Sequence, residues 1–446
     1  MTLPHITTRH RWAVKAAAAA AVLTVTTLPL AACSTYGGSK GGGEKTGTTT
    51  ISLSMQNPNV KTADPATYAI VQAFEKKNPG VKVDLSGQAV AEHLQNLSVA
   101  AQSNTLPDIF WVYNSTAQQM ESNGNLLDLT PVLQEMKLTD KFSSSTLANF
   151  STGGKTYGVP YQGLLTGLWI NKKILADNGL TQPKTFDDLL AVSKALHAKG
   201  ITTISNGANQ SSFSVWSFLV DLDRFGYETK IDSILSGKSS YVNSDFLRLY
   251  QHIDELRKAG AFSKNVSTQT YQQAVNAFTS GKAAMLDAGV WASSAIQSSS
   301  VGTDATFWAG PTFSDGVGKQ DIVMNVASAP FAVSAKVKDD PAKLAAVKKF
   351  LAFYYGDQAQ QTLVDNGQPP VTTYQAKVDP TKQSALKSAL DAATAPGVTS
   401  PKTQPDLVVK TPVANAMYDS IYGVIQGQLT PKAALQLVQK ALDDNK

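Results

Sequence analysis

The chain reads as an α/β protein, and two segments carry that reading. In the first, Ile51, Leu53 and Met55 alternate with polar residues as a strand; Asp64 and Pro65 then supply an N-cap and a first helical residue, ahead of Tyr68, Val71 and Phe74 at helical spacing. Pro79 and Gly80 stop that helix, and Val81, Val83 and Leu85 alternate again. A strand, a helix and a strand in succession form a βαβ unit, which implies a parallel sheet. In the second segment, Thr185 caps a helix and Asp188 sits three positions on as its return partner. Phe186, Leu189, Val192 and Leu196 line one face of this helix, and Gly200 lies past its end. The strand-like run Leu164 to Ile170 precedes it.

Ahead of the folded part, Arg9, Arg11 and Lys15 precede an uncharged run from Ala16 to Leu30. That is the order of a secretory signal, and the run is short for a membrane span. Leu30, Ala31, Ala32 and Cys33 resemble the bacterial lipobox, in which the cysteine is acylated and becomes the first mature residue. Cys33 is the sole cysteine, so no internal disulfide is available and an exported domain must rest on its own core. With 42% hydrophobic and 16% charged residues, the composition permits such a core. Residues 34–50 are Gly-, Ser- and Thr-rich and read as a flexible tether. The roughly 396 residues from Ile51 to Lys446 exceed an ordinary single domain, so two lobes are expected.

Removing residues 1–33 takes three of the 39 basic residues and none of the 34 acidic ones, leaving a net charge of about +2. A near-neutral chain gives no reason to expect nucleic acid as a partner, because phosphate binding needs concentrated Lys and Arg. It suggests a neutral ligand.

Four blocks of residues resemble the extracellular solute-binding proteins of bacterial ABC importers, in the sugar-binding branch that includes maltose-binding protein. They are Leu106-Pro-Asp-Ile-Phe-Trp-Val-Tyr-Asn114, Gly154-Lys-Thr-Tyr-Gly-Val-Pro160, Gly167-Leu-Trp-Ile-Asn-Lys172 running into Pro183-Lys-Thr-Phe-Asp-Asp-Leu189, and Phe278-Thr-Ser-Gly-Lys-Ala-Ala-Met285 with Trp291. Their order and spacing carry the resemblance. It implies a periplasmic-binding-protein-like fold, two α/β lobes around a hinge with the ligand in the cleft between them. The lobes would comprise residues 51–158 with 312–365, and 159–311 with 366–446. Chain crossings are expected near Gly158 to Gln162, near Gly310 and Pro311, and between Gln360 and Gln368. The implied partners are a saccharide, the permease subunits of an ABC transporter and, through Cys33, the membrane; a tethered receptor of this kind works as a monomer and needs no cofactor.

A saccharide site needs flat aromatic surfaces for the C–H face of the ring and amides or carboxylates for its hydroxyls. Trp111, Tyr113 and Asn114 follow the apolar Ile109-Phe110 pair, at the carboxyl end of a strand, where open α/β sheets bind ligands. Trp291 matches a stacking tryptophan of the family. Tyr161 lies at the expected hinge, Trp216 in a polar and aromatic segment, Gln56 and Asn57 at the end of the first strand, and Asp287 supplies a carboxylate for hydroxyls. Each has a plainer reading as a core aromatic, a turn amide or a helix-end charge. Ile170 stands where many family members carry an aromatic, which removes one stacking contact.

A secreted glycoside hydrolase is the rival class, but it needs two carboxylates about 5 to 10 Å apart, and no such pair can be singled out. His93, His197 and His252 are widely separated and form neither a zinc motif nor a local Ser-His arrangement. Gly154-Lys155-Thr156 fails as a phosphate loop because Asn149 occupies the required glycine position. Asp221 and Asp223 fail as a calcium loop because Phe225 occupies a ligand position. A peptide or a polyamine remains an alternative ligand, although a polyamine would call for more acidic groups than these segments hold.

Overall fold

The computed structural model describes residues 47–445 apart from 208–213. The signal-like segment, Cys33 and most of the tether lie outside the described residues.

In chain order, the elements that build the two halves are β1 (Thr49–Met55), α1 (Pro65–Lys77), β2 (Val81–Gly87), α2 (Val90–Gln102), β3 (Ile109–Trp111) and α3 (Asn114–Ser122). The long strand β4 (Val159–Asn171) leads to α4 (Phe186–His197), β5 (Thr202–Ser205), α5 (Trp216–Arg224), α6 (Tyr271–Thr279), β6 (Ala283–Gly289) and β7 (Ala305–Trp308). A second long strand, β8 (Met324–Val333), is followed by α7 (Pro341–Tyr354), α8 (Asp357–Asp365) and α9 (Thr411–Ile425).

Local chemistry explains the two helices that the sequence announces. Asp64 caps α1 by accepting from Thr67 N at 3.1 Å, with Pro65 at the first position. The buried face of α1 is Ala66, Ile70, Val71 and Phe74, while Tyr68 is only half-buried. Thr185 and Asp188 form a reciprocal capping box on α4, Thr185 Oγ1 accepting from Asp188 N at 3.2 Å and Asp188 Oδ2 accepting from Thr185 N at 3.0 Å. Phe186, Leu189, Val192 and Leu196 are all buried.

One eight-stranded sheet runs through both halves in the order β2-β1-β3-β8-β4-β6-β5, with β7 also paired to β4. The βαβ unit β1-α1-β2 is parallel, as its sequence implied, but the sheet as a whole is mixed. β1 runs parallel to β2 and β3, and β5 parallel to β6, but β8 is antiparallel to both β3 and β4. The centre is antiparallel because β4 carries the chain out of the first half and β8 brings it back.

The buried apolar side chains separate accordingly. Ile51, Phe74, Trp111, Val159, Phe331 and Phe350 share one core, and Ile170, Leu196, Ile204, Leu249, Met417 and Leu435 share another. Between them, Leu164, Val220, Ile322, Met324 and Val326 form a small central cluster, against which Trp291 and Leu407 pack.

The first passage between the cores lies in β4, where Val159 and Tyr161 belong to the first core and Leu165 and Trp169 to the second half. The second passage is not at Gly310 and Pro311. Phe313 and Val323 still pack in the second half, and the chain passes over within β8, whose Ala329, Phe331 and Val333 join the first core. The buried guanidinium of Arg224 explains the delay, because it donates to the carbonyls of Ala309, Gln320 and Ile322 at 3.1, 3.2 and 3.0 Å and pins that stretch to the second half. The third passage lies at α8, where Leu363 packs in the first core and Val364 in the second half.

The long strands are weakest where they cross. Pro160 and Pro330 face each other in the ladder, and neither has an N–H to donate. Ala329 beside them has φ of 44°, a left-handed conformation that costs a non-glycine residue of order 1–3 kcal/mol.

Candidate functional site

Three aromatic side chains converge in the second half. Trp291 sits in the 3-10 turn Val290–Ala292 at the carboxyl end of β6, Trp216 opens α5 and Tyr271 opens α6. The Trp216 and Trp291 rings lie 4.8 Å apart at 70°, and Trp216 meets Tyr271 at 5.5 Å and 79°, both edge-to-face. Trp291 Nε1 donates to the Tyr271 hydroxyl at 2.7 Å, which fixes the plane of the indole. Trp216 is buried, whereas Trp291 and Tyr271 remain half-exposed. Trp291 is thus a held ring with a free part, the form of a stacking platform.

Asp287, expected to receive ligand hydroxyls, is instead sealed from solvent. Its Oδ1 accepts from Ser217 N at 3.0 Å and its Oδ2 from Ser217 Oγ at 2.8 Å, so it holds the first turn of α5 beneath Trp216. Burial pushes its carboxyl up to about 8 despite those bonds. At the end of β5, level with Asp287, Asn206 is also buried, and neither of its amide atoms has a hydrogen-bond partner among the described residues.

The first half contributes Trp111 and Tyr113, whose rings meet edge-on at 4.8 Å. Trp111 is buried in the first core, its carbonyl accepting from His93 Nε2 at 2.7 Å. Tyr113 is half-buried, and its hydroxyl is pushed up to about 12 by burial and by the charge of Asp406, a residue of the other half. The helix it precedes, α3, packs against the 3-10 turn Pro405–Val408 of the other half, which carries Asp406.

Asn114 is occupied by the scaffold, its Nδ2 donating to Asn149 O at 3.0 Å and its Oδ1 accepting from the Tyr157 hydroxyl at 2.9 Å. Tyr161 is buried against Phe331 and donates to Asp64 Oδ2, which makes it a hinge tie. Gln56 is half-buried near Tyr161 with its Oε1 unpartnered, and Asn57 is half-buried with its carbonyl against Gly87.

Asp406, Gln404 and Tyr418 were not legible as site residues. Asp406, in the 3-10 turn Pro405–Val408, accepts from Gln404 Nε2 at 2.7 Å through Oδ1 and from the Tyr418 hydroxyl through Oδ2. A carboxylate accepts about four hydrogen bonds, so this half-exposed group keeps acceptor capacity on both oxygens. Its neighbour Leu407 packs on the central cluster that also supports Trp291. The candidate residues thus fall into an aromatic cluster of Trp216, Trp291 and Tyr271 and a polar set of Asp406, Tyr418 and Tyr113.

The three histidines among the described residues serve separate local roles: His93 packs against Trp111, His197 is exposed at the end of α4, and His252 contacts Asp315 and Glu255. Among the described residues, no group of three or more His, Cys, Asp or Glu can hold a metal ion, and no helix is long and apolar enough to cross a membrane.

Residues 57–361 match the model of a family described as bacterial extracellular solute-binding protein. The chain is 25% identical over 378 residues to the multiple sugar-binding protein of Streptococcus mutans, covering 82% of this chain and 84% of that one. It is 23% identical over 389 residues to the maltooligosaccharide ABC transporter solute-binding lipoprotein of Streptococcus pneumoniae, covering 84% and 85%. Among solved structures, a chitin oligosaccharide binding protein superposes with a TM-score of 0.78 at 24% identity, covering 89% of this chain and 98% of that one.

Proposed function

We propose, for a chain that belongs to the bacterial extracellular solute-binding protein family, that it captures a saccharide between its two halves, closes on it and delivers it to the permease of an ABC importer. The observation that carries this reading is the fixed aromatic wall at Trp291, with the half-exposed carboxylate of Asp406 next to Leu407, which packs on the same central cluster as Trp291. An indole held by a hydrogen bond presents a flat apolar face to ring C–H groups, and a carboxylate with spare acceptor positions reads hydroxyls. The relatives named for sugars and for ABC transport support the same ligand class.

In this reading Trp291 and Trp216 form the stacking wall and Tyr113 closes over from the first half. Asp406 and Tyr418 take the polar role first assigned to Asp287. Trp111, Asn114, Tyr161, Gln56 and Asn57 support the site from the first half and the hinge. The chain captures without chemistry. Cys33 anchors the exported receptor at the membrane beside its importer, working as a monomer, a reading supported by the lipobox-like residues and by the relative named as a lipoprotein.

Thermal melting against a panel of neutral mono- and oligosaccharides tests this. At least one saccharide is expected to raise the midpoint in a concentration-dependent way without being hydrolysed. A response confined to peptides or polyamines defeats the ligand assignment, and time-dependent cleavage of the sugar favours a hydrolase.

A further inference from the structure

Ser293 follows the turn that holds Trp291 and is buried, and its Oγ donates to Gly367 O at 2.6 Å. Gly367 has φ of 80°, and a Cβ there would lie 2.9 Å from Ser293 Oγ and 3.1 Å from Ser294. The backbone of residue 367 is therefore pressed onto the Trp291 turn in a conformation that suits glycine.

The next residue turns toward the other half. Gln368 Nε2 donates to Asp64 Oδ1 at 3.3 Å, and the same carboxylate accepts from Thr67 N at the start of α1 and from the Tyr161 hydroxyl on β4. Pro369 then rests over Gly163 of β4. Val371 N and Thr372 Oγ1 donate to Gln360 Oε1 at 2.8 and 3.2 Å, and Thr373 N donates to Lys141 O at 2.8 Å. Residues 367–373 thus follow the third passage, lie over the first, and join the aromatic wall of one half to the cap of α1 in the other.

We infer that Ser293, Gly367 and Gln368 form a strap that positions the Trp291 turn against the hinge and sets the resting angle between the two halves. A rotation of one half against the other carries Ser293 away from Asp64. The two links Ser293 to Gly367 and Gln368 to Asp64 lie in series between the halves, with Asp64 held in the first half by Thr67 N and Tyr161, so such a rotation must break one of the two. The conformation described here is the one in which both are made, and loss of either link shifts the balance away from it. The inference rests on the two-lobed hinge reading and not on the identity of the ligand.

The test is the distance distribution between spin labels at Gln119→Cys and Lys432→Cys, in the full chain carrying Cys33→Ala, without ligand. Gln119 and Lys432 are both exposed. Ser293→Ala and Gln368→Leu should each move the population toward a second distance in the same direction by about fivefold, the size of effect that one net hydrogen bond has on an equilibrium. The double variant should move it no further than either single variant, because a chain in series fails at its first break. Unchanged distributions in both variants overturn the inference, as do shifts that add. If Ser293→Ala does not fold, Gln368→Leu at its half-exposed position decides alone. A failure to bind any saccharide leaves these ligand-free distances untouched, so the two readings fail separately.

Discussion

Gly289 lies directly beneath the indole of Trp291: a Cβ on the glycine would fall 2.1 Å from Cζ3 and 2.4 Å from Cη2. With φ of −91°, the backbone of Gly289 is open to any residue, so the requirement is purely one of space. Gly289→Ala must displace the ring and should weaken saccharide binding nearly as much as Trp291→Ala, which is expected to cost about 1–3 kcal/mol. Calorimetric titration of both variants checks this, with circular dichroism confirming the fold. Wild-type affinity in a folded Gly289→Ala variant removes Trp291 from the site.

Asp406 should matter more to binding than Asp287 does. Asp406→Asn retains size but loses the charge that strengthens hydrogen bonds from ligand hydroxyls, and a drop in affinity of about 10-fold is expected from charge-assisted bonds of ~1.5–3 kcal/mol. Titrating Asp406→Asn with the same saccharide decides it. An affinity equal to wild type places the polar contacts elsewhere.

The contrast between these two carboxylates shows where sequence reading stops. The capping pair Thr185 and Asp188, the strand Ile51 to Met55 and the choice of Trp291 rest on local spacing or on a family motif, whereas the meeting of Trp216 with Trp291 does not. The burial of Asp287 depends on Ser217 arriving from another element, and Asp406 gains its place from Tyr418 and Gln404 in a stretch with no motif. The position of the second crossing was hidden for the same reason, since Arg224 holds residues 309–322 from a distance in sequence. Local patterns record periodicity and capping; they do not record which distant residue takes the last hydrogen bond.

Asp287 also predicts a pH dependence. Its folded-state value of about 8 stands above the ordinary 3.8, so between roughly pH 4 and 8 the folded chain holds a proton that the unfolded chain has released. Stability therefore falls as pH rises through that window and levels off above it. Asp287→Asn removes this contribution, and the variant's melting temperature should gain on that of wild type from pH 5 to pH 8. Parallel curves contradict the assignment.

Arg224 is a buried charge in the second half, paired with Asp221 at 2.7 Å and donating to three carbonyls. Arg224→Met leaves Asp221 and the carbonyls of Ala309 and Ile322 without that donor, while Gln320 O keeps the Ile322 N–H. Removing one partner of a buried pair costs about 3–5 kcal/mol, and urea unfolding should show a loss of that order. A loss below about 1 kcal/mol, the scale of an exposed ion pair, means that the guanidinium does not organise the second passage.

The central claim is that this chain binds a saccharide and leaves it intact. Isothermal titration of the purified protein with neutral oligosaccharides, alongside a tripeptide and spermidine, tests it most directly. Saturable 1:1 heat is expected from at least one oligosaccharide, abolished or strongly weakened in Trp291→Ala, with the sugar recovered unchanged. Heat from the peptide or the polyamine, with none from any sugar, contradicts it.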